Sequence, residues 1–273
     1  MARNVAPAAS QGTSRRARAA AGAAAVWTDD IGRASKKNKR TVVHSSVGGP
    51  SVKGFAALTL HERSCRLLGV STDGRLLKGA QTRSAILSRA ADIASAEGLE
   101  GLSIGRLATE LRISKSGVFT HFGSKEELQL ATVRKAVEVF REHVVEPALA
   151  VPGGLGRVRA LLAAWRRYES EPVFPGGCFF HSTMAEFDAR PGRVRDAIAA
   201  SQRDWRGFLE RCLREARELG ELDASADIPQ LAFEMDAVFR AGAAYALLLD
   251  DPSEFDRGAR AAEARLAAVS ARG

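Results

Sequence analysis

Apolar residues recur at helical spacing over the central and C-terminal parts of the chain, and strand-like alternation of apolar and polar positions is evident nowhere. Ile86, Leu87, Ala90, Ile93 and Ala94 fall on one helical face. Thr82 and Ser84 stand where an N-cap belongs, and Glu97-Gly98 supplies a stop, because glycine accepts the left-handed conformation that ends a helix. Ser103 can cap a second helix whose buried face is Ile104, Leu107, Ala108 and Leu111. A link over residues 112–115, containing the capping Ser114, leads into a third helix with Val118, Phe119 and Phe122 as inward anchors. Gly123-Ser124 ends it, and Ser124 with Glu127 three positions on makes a capping box for a fourth.

That fourth helix is predicted from Leu128 to about residue 145, with Pro147, Pro152 and Gly153-Gly154 breaking the chain after it. Val158, Leu161, Leu162 and Trp165 open another helix, which ends before Glu171-Pro172. After the Pro175-Gly176-Gly177 turn comes a helical segment over residues 178–187, stopped at Arg190-Pro191-Gly192. The clearest amphipathic stripe is Ile198, Trp205, Phe208, Leu209, Cys212, Leu213 and Ala216, on a helix spanning roughly 194–219. Asp227 as cap and Pro229 in the first turn open a final helix to Leu249. It is apolar on more than one face and rich in small residues, so one face suits the core and a second asks for another partner.

Two short helices joined by a tight turn present the N-terminus of the second, a shape that fits the major groove of DNA. That end offers unpaired N–H groups and a positive dipole, both attractive to phosphate. The quoted residues resemble the DNA-binding domain of the TetR family of one-component transcriptional regulators. The likeness rests on Thr82-Arg83 with Ile86-Leu87, Gly101-Leu102-Ser103-Ile104, Leu107-Ala108, Ser114-Lys115-Ser116-Gly117, and Val118-Phe119 with His121-Phe122 and Ser124-Lys125-Glu126-Glu127-Leu128. Two departures stand out: Phe119 replaces a Tyr able to donate to phosphate, and Gly105 has no side chain where some members reach a base.

The resemblance implies an all-α chain: a three-helix helix-turn-helix domain over 79–128, then a helical ligand-binding and dimerisation domain over 129–265, with a tail at 266–273. It implies a homodimeric regulator, released by a small molecule from an inverted-repeat operator in double-stranded DNA, most simply a repressor of the cytoplasm. Arg106, Lys115, Thr120, His121 and Lys125 are then the side chains for backbone or base contacts, while Ser103, Ser114, Ser116 and Gly117 bring main chain to phosphate. The last two long helices would pair with their two-fold mates, with Trp205, Leu209, Phe239 and Ala243 at that interface. For the effector, Trp165, Phe174, Cys178, Phe179, His181 and Met184 bracket the turn at 172–177 as a candidate apolar pocket.

Charge separates the chain into two parts. Residues 1–80 carry 14 of its 40 basic residues and 4 of its 32 acidic ones, whereas 81–130 hold six of each sign. The pI of 9.9 therefore belongs to the N-terminal stretch, not to the helix-turn-helix. Residues 1–78 are rich in Ala, Arg, Ser and Gly without a sustained apolar period, and are expected to be disordered. Such an extension is uncommon ahead of the first TetR helix, which favours an extension without function, from a misplaced translation start. Two alternatives remain: a basic arm adding sequence-independent DNA affinity, and a targeting segment suggested by Arg15-Arg16 before an Ala-rich run that makes a poor h-region. The arm also sustains a rival overall reading, a ligand-independent architectural DNA-binding protein.

Other chemistry is weaker. Three scattered cysteines do not make a disulfide framework, and no apolar run approaches the roughly 18 residues that span a bilayer. Cys178 and His181 supply two metal ligands but no third at recognisable spacing, so no metal and no cofactor are assigned. Cys178, His181 and Asp188 lack an accompanying oxyanion or nucleophile-elbow signature, so no catalytic residue is assigned and the chain is not read as an enzyme. Redox sensing through Cys65 or Cys178 stays open.

Overall fold

The computed structural model describes residues 74–171 and 173–271, so the N-terminal readings on residues 1–73, Cys65 and Arg15-Arg16 among them, lie outside the described residues. Among the described residues the protein is helical throughout, apart from an isolated bridge between Leu222 and Ser270. Helix α1 runs Gly74–Glu97, α2 Ile104–Glu110, α3 Lys115–Phe122 and α4 Lys125–Phe140. Then follow α5 (Glu146–Leu149), α6 (Leu155–Ser170), α7 (Phe179–Phe187), α8 (Arg193–Glu218), α9 (Ile228–Leu249) and α10 (Ser253–Ala268). None is long and apolar enough to cross a membrane.

Local hydrogen bonds explain the boundaries. The side chains of Ser103, Ser114 and Ser124 accept from the N–H groups of Arg106, Gly117 and Glu127, each closing the first turn of α2, α3 or α4. Glu127 does not complete the expected capping box; with Glu126 it holds Arg193 of α8. Helix α1 begins eight residues before the expected Thr82 cap, and Thr82 donates instead to Lys78 O at 2.9 Å from within the helix. Its first turns carry exposed Leu76 and Leu77, so no buried face marks them in the sequence.

Two further expectations change. Phe119 points outward and is 54% exposed, because Val118 and Phe122, four residues apart, define the inner face of α3. Pro147 does not break the chain after α4. A π-helical turn over Arg141–Val145, with Glu146 N–H bonded to Arg141 O, shifts the register so that Pro147 falls in the first turn of α5, where a missing N–H is harmless.

The apolar pattern gives no notice of α10. It crosses α9 backbone to backbone at Gly242 and Gly258, where a Cβ on Gly258 would stand 2.7 Å from Val238 O. The expected tail is tied down as well: Asp223 N–H donates to Val269 O and Ala271 N–H to Glu221 O. Helix α10 covers one apolar face of α9, and α8 with α6 packs against another. Consequently Trp205, Leu209, Phe239 and Ala243, expected at a dimer interface, are 0–3% exposed inside the protomer and have no surface to offer a second copy.

Candidate functional site

The outward face of α3 carries Lys115, Ser116, Phe119 and Thr120, all exposed, on a helix pinned from behind by Val118 and Phe122. Gly105 of α2 accommodates the Lys115 stem, since a Cβ there would meet Lys115 Cε at 3.3 Å. Thr120 donates its hydroxyl to Ser116 O at 2.8 Å, which leaves its lone pairs facing outward as acceptors. His121 is half-buried against the Phe122 ring.

Arg106 and Lys125 are less free than their sequence positions imply. Arg106 bonds Glu97 and Glu110, at 2.7 and 2.8 Å for the longer contacts, and Arg89 also bonds Glu110. These carboxylates push the Arg106 guanidinium above its usual range. Lys125 Nζ donates to Glu100 O at 2.9 Å and to the Glu100 carboxylate at 3.0 Å. Both cations therefore brace the loop between α1 and α2 through exposed carboxylates.

Inside the C-terminal unit the expected pocket aromatics pack on one another. Trp165 stacks on Phe239 at 4.3 Å between ring centres and meets Trp205 edge-on, while Phe174 leans on Tyr168 and Phe179. The space left is about 20 Å³, lined by Phe140, Trp165, Glu169, Cys178, Phe180, Ser201, Gln202, Trp205 and Arg240. That is room for about one water molecule. Phe174, Phe179, His181 and Met184 lie outside this lining, although Met184 Sδ is 3.3 Å from the Arg240 guanidinium.

Glu169, Gln202, Asp236 and Arg240 of this core were not singled out in the sequence. Glu169 accepts from Trp165 Nε1 at 3.0 Å, and burial lifts its carboxyl to about 7. Arg240 is held by Asp236 at 2.8 Å and Gln202 at 2.6 Å, and Asp236 accepts from Trp205 Nε1. A signal existed: Glu169 sits four residues after Trp165 on an apolar stripe, and Asp236 and Arg240 are an i, i+4 pair in a mostly apolar helix. Burial drops His181 to about 4 and drives Cys178 and Tyr168 well above their usual values.

Helix α7 joins this core to the three-helix head. One side carries Cys178, at its N-cap, and His181; the other bonds the end of α1. Ser182 donates to Ser95 O at 2.6 Å, and Gly176, just ahead of the helix, donates its N–H to Ser95 Oγ. Gly176 lies so close that a Cβ would stand 2.4 Å from Ala96 backbone atoms. Outside, α9 exposes Phe233, Ala237, Ala241, Ala244, Tyr245 and Leu248, an unbroken apolar stripe at steps of four or three.

Two family models match the chain: residues 86–132 fit bacterial regulatory proteins of the tetR family, and residues 154–262 fit the tetracyclin repressor-like C-terminal domain. Together they span more than half of the sequence. No curated protein matches. Among solved structures, a TetR transcriptional regulator from Chloroflexus aurantiacus is 24% identical, with 71% of this chain and 98% of that one covered and a TM-score of 0.66. A TetR-family regulator from Streptomyces coelicolor is 23% identical over 71% of this chain and 97% of its own, with a TM-score of 0.61. A third, solved with isovaleryl coenzyme A and operator DNA, is 22% identical over 65% and 95%, with a TM-score of 0.51. At these identities the likeness is one of fold.

Proposed function

Because this chain belongs to the TetR family of transcriptional regulators, we propose that it is a homodimeric repressor that grips an inverted-repeat operator and releases it when a small molecule binds. The observation that carries the reading is the outward face of α3, where Lys115, Ser116, Phe119 and Thr120 stand exposed on a helix capped by Ser114. Lys115 suits a guanine edge or a phosphate, and Phe119 suits a thymine methyl. Ser103, Ser114, Ser116 and Gly117 bring the first turns of α2 and α3 close to the sugar-phosphate backbone, with His121, Arg106 and Lys125 beside them.

The dimer uses the exposed stripe of α9, from Phe233 to Leu248, in place of the four residues buried in the protomer core. A single reading head gives few base contacts; two related by a dyad read half-sites about 34 Å apart or a multiple of it. The effector enters the core around Glu169, Gln202 and Arg240. A 20 Å³ cavity does not admit it, so binding selects a conformation in which α6, α7 and α8 part. A fold neighbour that holds both an acyl coenzyme A and operator DNA supports this linkage of ligand to DNA.

DNA selection from a random library tests the reading, using the full chain and a shortened one starting at Gly74. The same inverted repeat enriched by both supports the dimeric regulator. Enrichment of no sequence by the full chain, with affinity that disappears along with residues 1–73, favours the architectural alternative.

A further inference from the structure

We propose that Glu169, Cys178 and His181 form a binding site for one zinc-type divalent cation between α6 and α7. The proposal goes beyond the operator reading and does not depend on it. One oxygen, one sulfur and one nitrogen from these three side chains lie within 4.8 Å of one another. Cys178 and His181 share the first turn of α7, and Glu169 faces them from the last turn of α6. The sequence showed the first two donors at a recognisable spacing; the third arrives only when the two helices pack.

A second observation points into the same place. Both ring nitrogens of His181 are buried without a hydrogen-bond partner. Leaving a buried polar group unmatched costs about 1–3 kcal/mol, so orphaned atoms in a native core call for an explanation. A cation bound by the imidazole supplies one.

The geometry is close to closed. His181 Nε2 stands 3.9 Å from Glu169 Oε1. Zinc–nitrogen and zinc–oxygen bonds of about 2.0–2.1 Å at a tetrahedral angle set such donors about 3.3 Å apart, so small side-chain rotations complete the site. The mixed sulfur, nitrogen and oxygen set favours zinc over magnesium or calcium, which take oxygen ligands. Binding expels the thiol proton and any carboxyl proton to solvent, and the resulting thiolate and carboxylate neutralise the dication. The nearby Arg240 charge is already met by Asp236 at 2.8 Å, so it does not stand unopposed against the metal. The adjoining cavity, lined by Glu169 and Cys178, has space for a water as fourth ligand.

The test uses the full chain, stripped with a chelator and titrated with Co²⁺ as a coloured substitute for Zn²⁺. Expected is one Co²⁺ per chain, with a thiolate-to-cobalt absorption band and visible bands of four-coordinate cobalt, all removed by added Zn²⁺. Cys178→Ser should abolish the thiolate band, and Glu169→Gln, nearly the same shape, should weaken Zn²⁺ binding more than about tenfold. Cys65→Ser and Cys212→Ser should keep the wild-type spectrum. Absence of cobalt uptake, a thiolate band surviving Cys178→Ser, its loss in Cys65→Ser, or unchanged affinity in Glu169→Gln overturns the site. Circular dichroism on each variant separates loss of binding from loss of fold, and the Glu169→Gln affinity decides the matter if Cys178→Ser does not fold.

Discussion

The carboxylate of Glu186 in α7 accepts the backbone N–H of Leu99 at 2.7 Å, while its second oxygen accepts that of the adjacent Glu100 at 2.8 Å. One side chain of the C-terminal unit thus holds the loop between α1 and α2. Glu100 passes the constraint on, since its carboxylate and carbonyl hold Lys125 and its carboxylate also meets Gln129 of α4. A displacement of α7 therefore cannot leave the reading head where it was. These hydrogen bonds run without a gap from α7 through the loop between α1 and α2 to α4, a physical path along which a shift of α7 would be felt.

Glu186→Gln tests that path. The amide keeps one acceptor oxygen and turns an NH₂ toward the other backbone N–H, so one bond is lost with little change of shape. The expected cost is about 1–2 kcal/mol in urea unfolding, the range for a charge-assisted bond that is partly exposed. Hydrogen exchange at the Leu99 and Glu100 amides should quicken while that in α8 and α9 holds steady. Equal acceleration throughout the chain would show that the contact is not a local latch.

Lys125→Ala distinguishes two roles for one cation. If Lys125 leaves Glu100 to meet a phosphate, its removal lowers the slope of log affinity against log salt by about one unit and weakens all sequences alike. If it only braces the loop, the slope stays and stability falls. The outcome expected is the lower slope, because the Glu100 pair is exposed and such pairs hold a lysine weakly. Lys115→Ala, by comparison, should alter the ranking of operators.

What the sequence disclosed follows the range of the forces involved. Ser103, Ser114 and Ser124 were legible as caps because each bonds an N–H three residues on. Asp227 and Pro229 likewise marked the start of α9, whose observed span is Ile228–Leu249. Phe119 was misread because it adjoins Val118 in sequence yet lies about 100° around the helix. The inward direction of Trp205, Leu209, Phe239 and Ala243 was not legible, since an apolar helix does not state which face its own chain covers. Helix α10 has too thin a stripe, with Gly258, Ala262 and Leu266 buried, to stand out. The Glu169, Cys178 and His181 cluster depends on helix packing, which no spacing rule records.

The dimer reading makes opposite demands on two neighbouring alanines. Ala241 is exposed on the α9 stripe, so Ala241→Arg should leave a folded monomer, halving the mass seen by light scattering. Ala243 is 1% exposed inside the protomer. Ala243→Trp should therefore lower the melting temperature through overpacking before it affects assembly. A wild-type chain that is already monomeric, or an Ala241→Arg dimer, would remove α9 as the interface.

Glycine-to-alanine changes on two helices should differ in sign. Alanine is favoured over glycine inside a helix by about 1 kcal/mol, other things equal. Gly79 in α1 has nothing within 4 Å of a built Cβ, so Gly79→Ala should stabilise by up to about that amount. At Gly258 the same methyl would meet Val238 O at 2.7 Å and Gly242 Cα at 3.3 Å. A backbone carbonyl cannot rotate aside as a side chain can, so α9 and α10 must separate, at a cost of about 1–3 kcal/mol for an overpacked contact. Set against the propensity gain of about 1 kcal/mol, this leaves Gly258→Ala with an unfolding free energy lower by up to about 2 kcal/mol. Because α10 supports α9 from behind, the same variant should loosen the proposed dimer at low protein concentration. A Gly258→Ala chain as stable as wild type would mean that the two helices have slack at their crossing, and that α9 is held in place from its other neighbours.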